Sequence, residues 1–356
     1  MTLILNNREI TEILSMDQCI DALSDAYLDF AAGAAVTRRR SDTLVPSGES
    51  VYGLKTMDGI APNLGVGAVR INSDIVTWPK IGESFRRVKI PAAPGSRYTG
   101  LILLFSVETG EPLAMMPDGV IQRMRVGATS ALGIRHLART NARIAAIIGS
   151  GWQAGAQLMG LLAVRPEIET VRVFSPSPDN VSSFCREWGQ RFSQNFYASG
   201  SVTEATKGAD IVLCATSAID SLFEEQHFES GMHVGSIKPS EISQESLELA
   251  DGVYVHLGHG KPMLVQADNL VIPDHSGDRG WKMSDKFDFS VCTKLPELVS
   301  GRAKGRTNES ERTCFINDLG LGLQFAVVAG ITLQLAKSAK IGYDLPTELF
   351  TQLEHP

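Results

Sequence analysis

The chain has 356 residues, of which 43% are hydrophobic and 21% charged, proportions typical of a folded globular protein of about two domains. Its formal net charge of −7, without a long run of lysine or arginine, argues against a nucleic-acid-binding protein. No stretch has the roughly 18 consecutive apolar residues that a membrane helix needs. The N-terminal residues lack a signal-peptide pattern, so we expect a cytoplasmic protein.

The five cysteines have no paired spacing. They therefore predict neither a disulfide framework nor a zinc site, and we expect no bound metal.

The first third of the chain predicts a helix, some strands and a hairpin. Ser15 is placed to cap a helix that ends near Gly33. Residues 59–100 are rich in Pro and Gly and predict only short strands. Residues 98–116 predict a β-hairpin whose apolar face and edge must be covered, so we expect a homodimer through this part of the chain. Residues 122–137 predict a helix with small residues on one side.

A different pattern begins at Arg143. Short apolar strands alternate with amphipathic helices, and a last strand near residue 315 precedes a final long helix. This alternation is typical of parallel βαβ units. The sequence therefore predicts the α/β class, with a Rossmann-type parallel-sheet domain inserted into a second α/β domain. The predicted bounds are 122–319 for the inserted domain, and 1–121 together with 320–356 for the other.

The strongest motif follows the first of these strands. An apolar strand runs into Gly149-Ser150-Gly151-Trp152-Gln153-Ala154, which matches Gly-x-Gly-x-x-Ala. Such a loop needs glycine for a tight turn and for close approach to a pyrophosphate, and a small residue for helix packing. The alternative is a glycine-rich turn in another kind of α/β protein. The agreement of strand, loop and helix favours a site for NAD(P)H formed by these six residues.

Polar residues at the ends of two further strands are the other cofactor candidates. Ser175 and Ser177 stand where an NAD-preferring site usually has an acidic residue, and they could donate to a 2′-phosphate. The sequence therefore gives a weak preference for NADPH. Thr216 and Ser217 follow the next predicted strand and are candidates for contacts with ribose or nicotinamide, although they could equally cap the strand end.

Two basic residues are candidates for chemistry. Lys55 lies among apolar residues in VYGLKTMD, and Arg125 lies in QRMRVGA. A guanidinium grips a carboxylate through two parallel hydrogen bonds, and an ammonium supplies a compact charge or a proton. The pattern alone leaves open that both are ordinary surface residues.

Five segments in this order resemble the ornithine cyclodeaminase/mu-crystallin family: LLFSVETGEPLAMM, QRMRVGATSALGIRHLAR, AIIGSGWQAGAQ, ADIVLCATS and TCFINDLGLGLQFA. The resemblance covers nearly the whole chain. It implies an NAD(P)-using protein whose two chain ends build a substrate-binding and dimerisation domain. It also implies that Arg40, Lys55 and Arg125 hold a substrate carboxylate or assist proton transfer.

Two departures from the family pattern concern the substrate. Cyclodeaminases have an aspartate after the strand that here reads HVGSI, and this chain has Ile237 there, with Glu241 nearby. Residues 61–98 are longer than the usual link and add five residues: Arg70, Trp78, Arg86, Arg87 and Lys89.

These observations predict an NAD(P)H-dependent oxidoreductase that acts on an imine or a 2-amino acid. One alternative is cyclodeaminase chemistry with a recycled NAD. A second is a crystallin-like protein that binds a small molecule without turnover.

Overall fold

The computed structural model describes residues 1–81, 84, 85, 87–218, 220–258, 262–272, 287–318 and 320–354. The first elements are β1 (Thr2–Ile4), α1 (Asn7–Ile13), α2 (Met16–Ala31), β2 (Val36–Thr37), β3 (Ser41–Ser47), β4 (Ser50–Ala61), β5 (Val66–Thr77), β6 (Lys80–Ile81), β7 (Ser84–Phe85), β8 (Val88–Ile90), β9 (Thr99–Ser106), β10 (Pro112–Pro117) and α3 (Gly119–Leu137).

The central elements are β11 (Ile144–Ile148), α4 (Trp152–Val164), β12 (Thr170–Phe174), α5 (Pro178–Gly189), β13 (Asn195–Ala198), α6 (Val202–Thr206), β14 (Ile211–Cys214), β15 (His233–Ser236), α7 (Gln244–Leu249) and β16 (Gly252–Val255). The last are β17 (Met263–Gln266), β18 (Thr293–Lys294), α8 (Leu295–Val299), β19 (Thr313–Ile316), α9 (Gly322–Ala339) and β20 (Tyr343–Leu345). Short 3-10 helices lie at Pro62–Leu64, Glu225–His227, Pro239–Glu241, Phe289–Val291 and Thr347–Phe350.

The chain divides into two compact units. Unit 1 consists of Met1–Arg125, Lys261–Trp281 and Gly320–Pro356, and unit 2 of Val126–Gly260 and Lys282–Leu319. Compared with the division predicted from sequence, the first boundary lies four residues later, and β17 falls with unit 1 because it pairs with β3. The assignment of separate cofactor and substrate roles to the two parts stays a prediction.

Unit 1 is built on a mostly antiparallel sheet in the order β17-β3-β4-β5-β9-β10-β1-β20, with β2 and β8 attached to β4 and β5. The predicted hairpin is confirmed as β9 and β10. The prediction of only short strands between residues 59 and 100 was wrong, because β5 is 12 residues long and pairs with the equally long β4 along nearly its whole length. Glycines at residues 53, 59 and 67 lie inside these strands, where a glycine usually weakens a strand and obscures it in the sequence.

One face of this sheet is buried and the other is partly exposed. Along β4 the buried residues alternate with intermediate or exposed ones, as the two-residue period of a strand requires. The same alternation on β5 buries Arg70, Asn72 and Asp74. The buried face, called here the inner face, therefore carries polar and charged side chains in the middle of the sheet.

Helix α9 packs on the inner face, and two glycines permit its approach. A Cβ added at Gly59 would lie 2.2 Å from the backbone nitrogen of Leu323, and one added at Gly322 would lie 2.0 Å from the backbone of Asp58. Backbone therefore meets backbone where β4 and the first turn of α9 cross. This crossing fixes the position of Gln324 and Phe325, which belong to the site described below.

Unit 2 is built on a parallel sheet in the order β13-β12-β11-β14-β15-β19-β16-β18. Apolar clusters pack on both of its faces. The strand order reverses between β11 and β14, as in doubly wound α/β folds, which bind ligands at the carboxyl ends of the strands beside such a reversal. Unit 2 therefore has the predicted Rossmann-type architecture.

Candidate active site

The predicted dinucleotide loop connects β11 to α4, directly at the reversal of strand order. Gly149 has φ = +123°, a conformation that L side chains rarely adopt, and a Cβ there would lie 2.3 Å from the carbonyl oxygen of Ala215. Glycine is therefore required at this turn. Ala154 is fully buried in the cluster that includes Ala145 and Leu158, as expected of the small residue of the motif.

Gly151 fits the approach of a pyrophosphate for a different reason. It caps the amino end of α4 with extended backbone (φ −94°, ψ −170°), and a Cβ built on it meets no atom within 4 Å. The neighbouring Trp152 is 57% exposed, while Gln153 is partly buried. Space therefore remains beside the first amides of a 13-residue helix, where a dinucleotide phosphate binds in this kind of fold.

The structure brings Ser150 and Ser175 together. Their hydroxyl oxygens lie 2.8 Å apart, and the amide of Gly149 donates to the carbonyl of Phe174 at 2.7 Å. Ser175 therefore closes the loop and lies beside it, whereas the hydroxyl of Ser177 caps α5 by accepting from the amide of Asn180 at 3.4 Å.

Glu241, which the sequence analysis mentioned only as a neighbour of Ile237, links the two loops that follow β14 and β15. It is fully buried, and its carboxylate accepts from the amide of Thr216 at 2.5 Å, the amide of Ile237 at 3.2 Å and the hydroxyl of Ser236 at 2.9 Å. Ser217 next to this link is exposed. The candidate contacts Thr216 and Ser217 therefore lie on a loop that is fixed by a hydrogen bond to the buried Glu241 carboxylate.

The side chain of Lys238 makes a second tie, donating to the carbonyl of Ala218 at 2.8 Å. Ile237 between these residues is partly buried against the apolar cluster around β11. Three donors of this chain already occupy the Glu241 carboxylate. We therefore infer that Glu241 does not replace the aspartate that cyclodeaminases have at the position of Ile237.

In unit 1, Lys55 projects from β4 onto the inner face and is 5% exposed. Its ammonium lies 3.2 Å from the nearer carboxylate oxygen of Asp74 on β5. The pKa of Lys55 is lowered to about 8; burial is the largest cause, Arg87 and Arg40 act in the same direction, and Asp74 and Asp42 oppose the shift. Lys55 is thus a buried amine that exchanges a proton near neutral pH.

Arg40 precedes β3 and holds Asp42 in a two-pronged ion pair, with both nitrogen–oxygen distances at 2.8 Å. Asp42 is fully buried and faces Lys55 across the β3–β4 pair. Arg40 lowers the pKa of both Lys55 and Arg125, so the three basic residues predicted from the sequence lie within electrostatic range in one part of unit 1.

Arg125 is 5% exposed on α3, and two neutral side chains hold its guanidinium. The carbonyl oxygen of Gln122 accepts at 2.9 Å and 3.3 Å, and that of Gln324 at 2.9 Å. The guanidinium also lies 5.1 Å from the ring centroid of Phe325. A Cβ at Gly320 would come within 2.4 Å of the Arg125 guanidinium, so a larger residue there would displace this group.

Burial and the nearby Arg70 lower the pKa of Arg125, although a guanidinium stays charged in proteins at neutral pH. Two amides therefore orient this cation without cancelling its charge. Sequence reasoning missed both Gln122 and Gln324, since neither has a distinctive pattern and Gln324 is 199 positions away along the chain.

The segment of residues 61–98 contributes to the same face. Arg70 pairs with Asp118 at 2.6 Å, and Trp78 packs in an apolar cluster with Leu44 and Val51. Lys89 on β8 pairs with Asp74 at 2.6 Å. Arg86 lies outside the described residues.

In the described part of the chain, no group of three or more His, Cys, Asp or Glu side chains is arranged to hold a metal. Nor does any described helix combine the length and apolar character needed to cross a membrane.

Comparison with known proteins identifies the family. The sequence model of the ornithine cyclodeaminase/mu-crystallin family matches residues 89–332. The chain belongs to this family. Δ1-pyrroline-2-carboxylate reductase of Bacillus cereus is 27% identical over 343 residues, covering 96% of this chain and 98% of that protein. An NAD(P)H-dependent anabolic L-arginine dehydrogenase of Pseudomonas aeruginosa is 27% identical over 348 residues, covering 94% and 98%.

Among solved structures, Δ1-pyrroline-2-carboxylate reductase of Thermococcus litoralis, in complex with NADH and L-proline, is similar with a TM-score of 0.77. Its sequence is 24% identical, and the match covers 97% of this chain and 100% of that one. The likeness shows that the two share the fold along nearly their whole length.

Proposed function

We propose that this family member is an NAD(P)H-dependent reductase of an imine that carries a carboxylate, yielding a 2-amino acid. The observation that carries the proposal is Lys55, a buried amine with its pKa lowered to about 8 on the inner face of the unit 1 sheet, and it is joined in unit 1 by the buried guanidinium of Arg125 on α3. Such an amine suits proton transfer to a developing amine nitrogen, and such a guanidinium suits a carboxylate.

The chain's own residues have separate roles in this proposal. Arg125, oriented by Gln122 and Gln324, binds the substrate carboxylate and so fixes the imine in one orientation. Lys55 in its ammonium form donates a proton to the imine nitrogen, which becomes the amine nitrogen of the product. NAD(P)H, held by the loop at residues 149–154, supplies the hydride for the imine carbon.

Arg40 has a more limited role here than the sequence suggested. Two of its nitrogens hold Asp42, and this carboxylate offsets its positive charge, so we propose that Arg40 acts mainly by fixing Asp42 beside Lys55 and not by gripping the substrate carboxylate.

We further propose a preference for NADPH over NADH. Ser175 stands at the end of β12, where an acidic residue would repel a 2′-phosphate, and its hydroxyl lies beside the dinucleotide loop. The ratio of kcat/KM with NADPH and NADH, measured on one substrate, tests this. A clear preference for NADH would contradict it.

The reductase proposal is tested by following the oxidation of NADH and NADPH with cyclic imines, and with 2-oxo acids plus amines. We expect stoichiometric loss of nicotinamide absorbance with at least one carboxylate-bearing imine. Replacing Lys55 by Met should lower kcat by about 100-fold or more, the usual contribution of a general acid. Lys207→Met, an exposed lysine of unit 2, is the matched control and should leave kcat unchanged. Full activity of the Lys55 variant would exclude the donor role.

A further inference from the structure

The carboxylate of Asp74 lies between two ammonium groups. Its side chain is 3% exposed, and the nitrogen of Lys89 approaches one oxygen at 2.6 Å. The nitrogen of Lys55 approaches the other oxygen at 3.2 Å and the first at 3.5 Å. One buried carboxylate therefore serves two lysines, with the shorter contact going to Lys89.

The strand register explains this arrangement. Lys89 on β8 lies opposite Val76 of β5, whose side chain is fully buried, so Lys89 also points to the inner face. Asp74 lies two residues before Val76 and opposite Gly53 of β4. A Cβ at Gly53 would lie 3.3 Å from the Lys55 side chain and 3.5 Å from Asp74, so the glycine leaves space for these two groups to meet.

Other charged groups face Lys55 from each neighbouring element of the described chain. Asp42 approaches from β3 but is held by two hydrogen bonds from Arg40. Arg87, just before β8, acts on Lys55 as a second positive charge. Burial opposes the ionisation of Asp74, yet Lys55 and Lys89 together hold the pKa of this carboxyl below its ordinary value.

We propose that Lys89 is a positioning residue: it takes one oxygen of Asp74, so that Lys55 shares this carboxylate and releases its proton more readily. In this proposal the segment of residues 61–98 has a specific role, because its strand β8 places on the inner face the ammonium that competes with Lys55 for Asp74. The inference rests on the proposed role of Lys55 as proton donor.

The direction of the effect follows from electrostatics. Without the Lys89 ammonium, Asp74 is free to pair with Lys55 alone, which stabilises the charged form of Lys55 and raises its pKa. Without the Asp74 carboxylate, Lys55 loses the stronger of the two carboxylates that stabilise its charged form, and the pKa of Lys55 falls. The two changes therefore shift the same group in opposite directions, which a general loss of packing would not do.

The test is the pH dependence of carbamylation of Lys55 by cyanate, followed by mass spectrometry of the Lys55 peptide from pH 6 to 11. Cyanate is small and reacts with the neutral amine, so the midpoint of the rate profile reports the pKa. We expect Lys89→Met to raise the midpoint by about half a unit to one unit, a three- to tenfold lower rate below it. Asp74→Asn should lower the midpoint, and Lys89→Arg should leave it near the wild-type position.

Lys80→Met removes an exposed ammonium from the same segment and serves as the control with unchanged midpoint. Lys89→Gln, which keeps a hydrogen-bonding group but not the charge, replaces Lys89→Met if that variant does not fold. An unchanged or lowered midpoint in the folded Lys89 variant overturns the proposal. Because carbamylation needs no turnover, a failure here is distinct from a failure to find reductase activity.

Discussion

At the scale of single residues, Lys55 makes the proposed reaction dependent on pH. It donates only as an ammonium, and burial lowers its pKa to about 8. The kcat/KM for imine reduction should therefore fall as pH rises through about 8, while the reverse oxidation, which needs the neutral amine, should rise over the same range. Initial rates in both directions between pH 6 and 10 check this. Reduction that remains constant up to pH 10 would contradict the assignment.

Glu241 gives a second residue-scale prediction. Gln in its place would turn an amide NH2 toward one of the backbone or hydroxyl donors that the carboxylate now accepts. We expect Glu241→Gln to lower the free energy of unfolding by about 1–3 kcal/mol and to weaken NADH binding about tenfold.

Chemical denaturation and a nicotinamide-fluorescence titration measure the two effects of this change. Glu245→Gln, at an exposed position of α7, is the matched control. Wild-type affinity for NADH in the Glu241 variant would show that this link does not support the cofactor loop.

Residue type and family resemblance were enough to select Lys55 and Arg125, both of which prove to be buried on unit 1. They were not enough to find the groups that control them. Asp74 and Gln324 are recognisable only once strands and helices have been paired in space, because an aspartate or a glutamine in isolation predicts nothing specific. The buried Glu241 gave a faint signal, as a charged residue just after an apolar strand.

At the scale of elements, the two glycines of the dinucleotide loop have different roles: Gly149 is needed for the fold, and Gly151 is proposed to leave space for the ligand. Gly151 has ordinary extended backbone and open space at its Cβ, so Gly151→Val should leave the melting temperature within a few degrees of wild type. The valine would occupy the space that a pyrophosphate needs, so NADH affinity should fall more than 100-fold.

Gly149→Val is the contrasting variant. Its φ of +123° and the 2.3 Å approach of the Ala215 carbonyl oxygen should make it strongly destabilising. Melting curves together with NADH titrations distinguish the two cases. Undiminished NADH binding by Gly151→Val would remove this loop from the cofactor site.

Elements with a clear period were predictable, and the others were not. The central strands of unit 2, β11, β14, β15 and β19, are buried on both faces, and the structure confirms these strands together with β12 and β16 near their predicted places. By contrast, the buried face of β5 carries Arg70, Asn72 and Asp74 in its middle, with Val66 and Ala68 before them and Val76 after them. The sequence did not reveal this strand, because polar residues at buried positions break the alternation of apolar and polar residues that marks a half-buried strand.

At the scale of the whole molecule, the outer face of the unit 1 sheet bears on the predicted homodimer. The edges of the hairpin are covered within the chain and give no reason for a dimer, because β5 pairs with β9 and β1 pairs with β10. The apolar outer face still favours a dimer, because apolar side chains of neighbouring strands lie side by side on it. The face includes Leu54, Ile60, Val69, Ile71, Leu101, Leu103 and Phe105.

We therefore predict a dimer at micromolar concentration and dissociation by Leu103→Glu, which would place a charge in the middle of this face. Val107→Glu, in the exposed turn after β9, should leave the dimer intact. Light scattering of the three proteins measures the masses. A monomeric wild-type protein would refute the prediction.

At the scale of the whole molecule, the structure also bears on whether the protein catalyses reduction or cyclodeamination. Cyclodeamination returns its hydride to the substrate and releases ammonia, with the side-chain amine held for attack. Ile237 offers no acceptor for such an amine, and Glu241 is committed to its own donors. We expect negligible release of ammonia and proline from ornithine with catalytic NAD. Efficient release of both, without net change in nicotinamide absorbance, would favour the cyclodeaminase.

The packing of α9 on β4 has a consequence for folding during synthesis on the ribosome. The strand holding Lys55 leaves the ribosome early, whereas the helix that covers it ends at Ala339. At roughly 5–20 residues per second, some ten to forty seconds pass between completion of Arg125 and completion of that helix. During this interval the nascent sheet lacks the helix that covers its inner face. Unit 2, whose strands end at residue 316, has all its pieces earlier. The lysine and arginine proposed for chemistry therefore acquire their enclosed surroundings among the last events of biosynthesis.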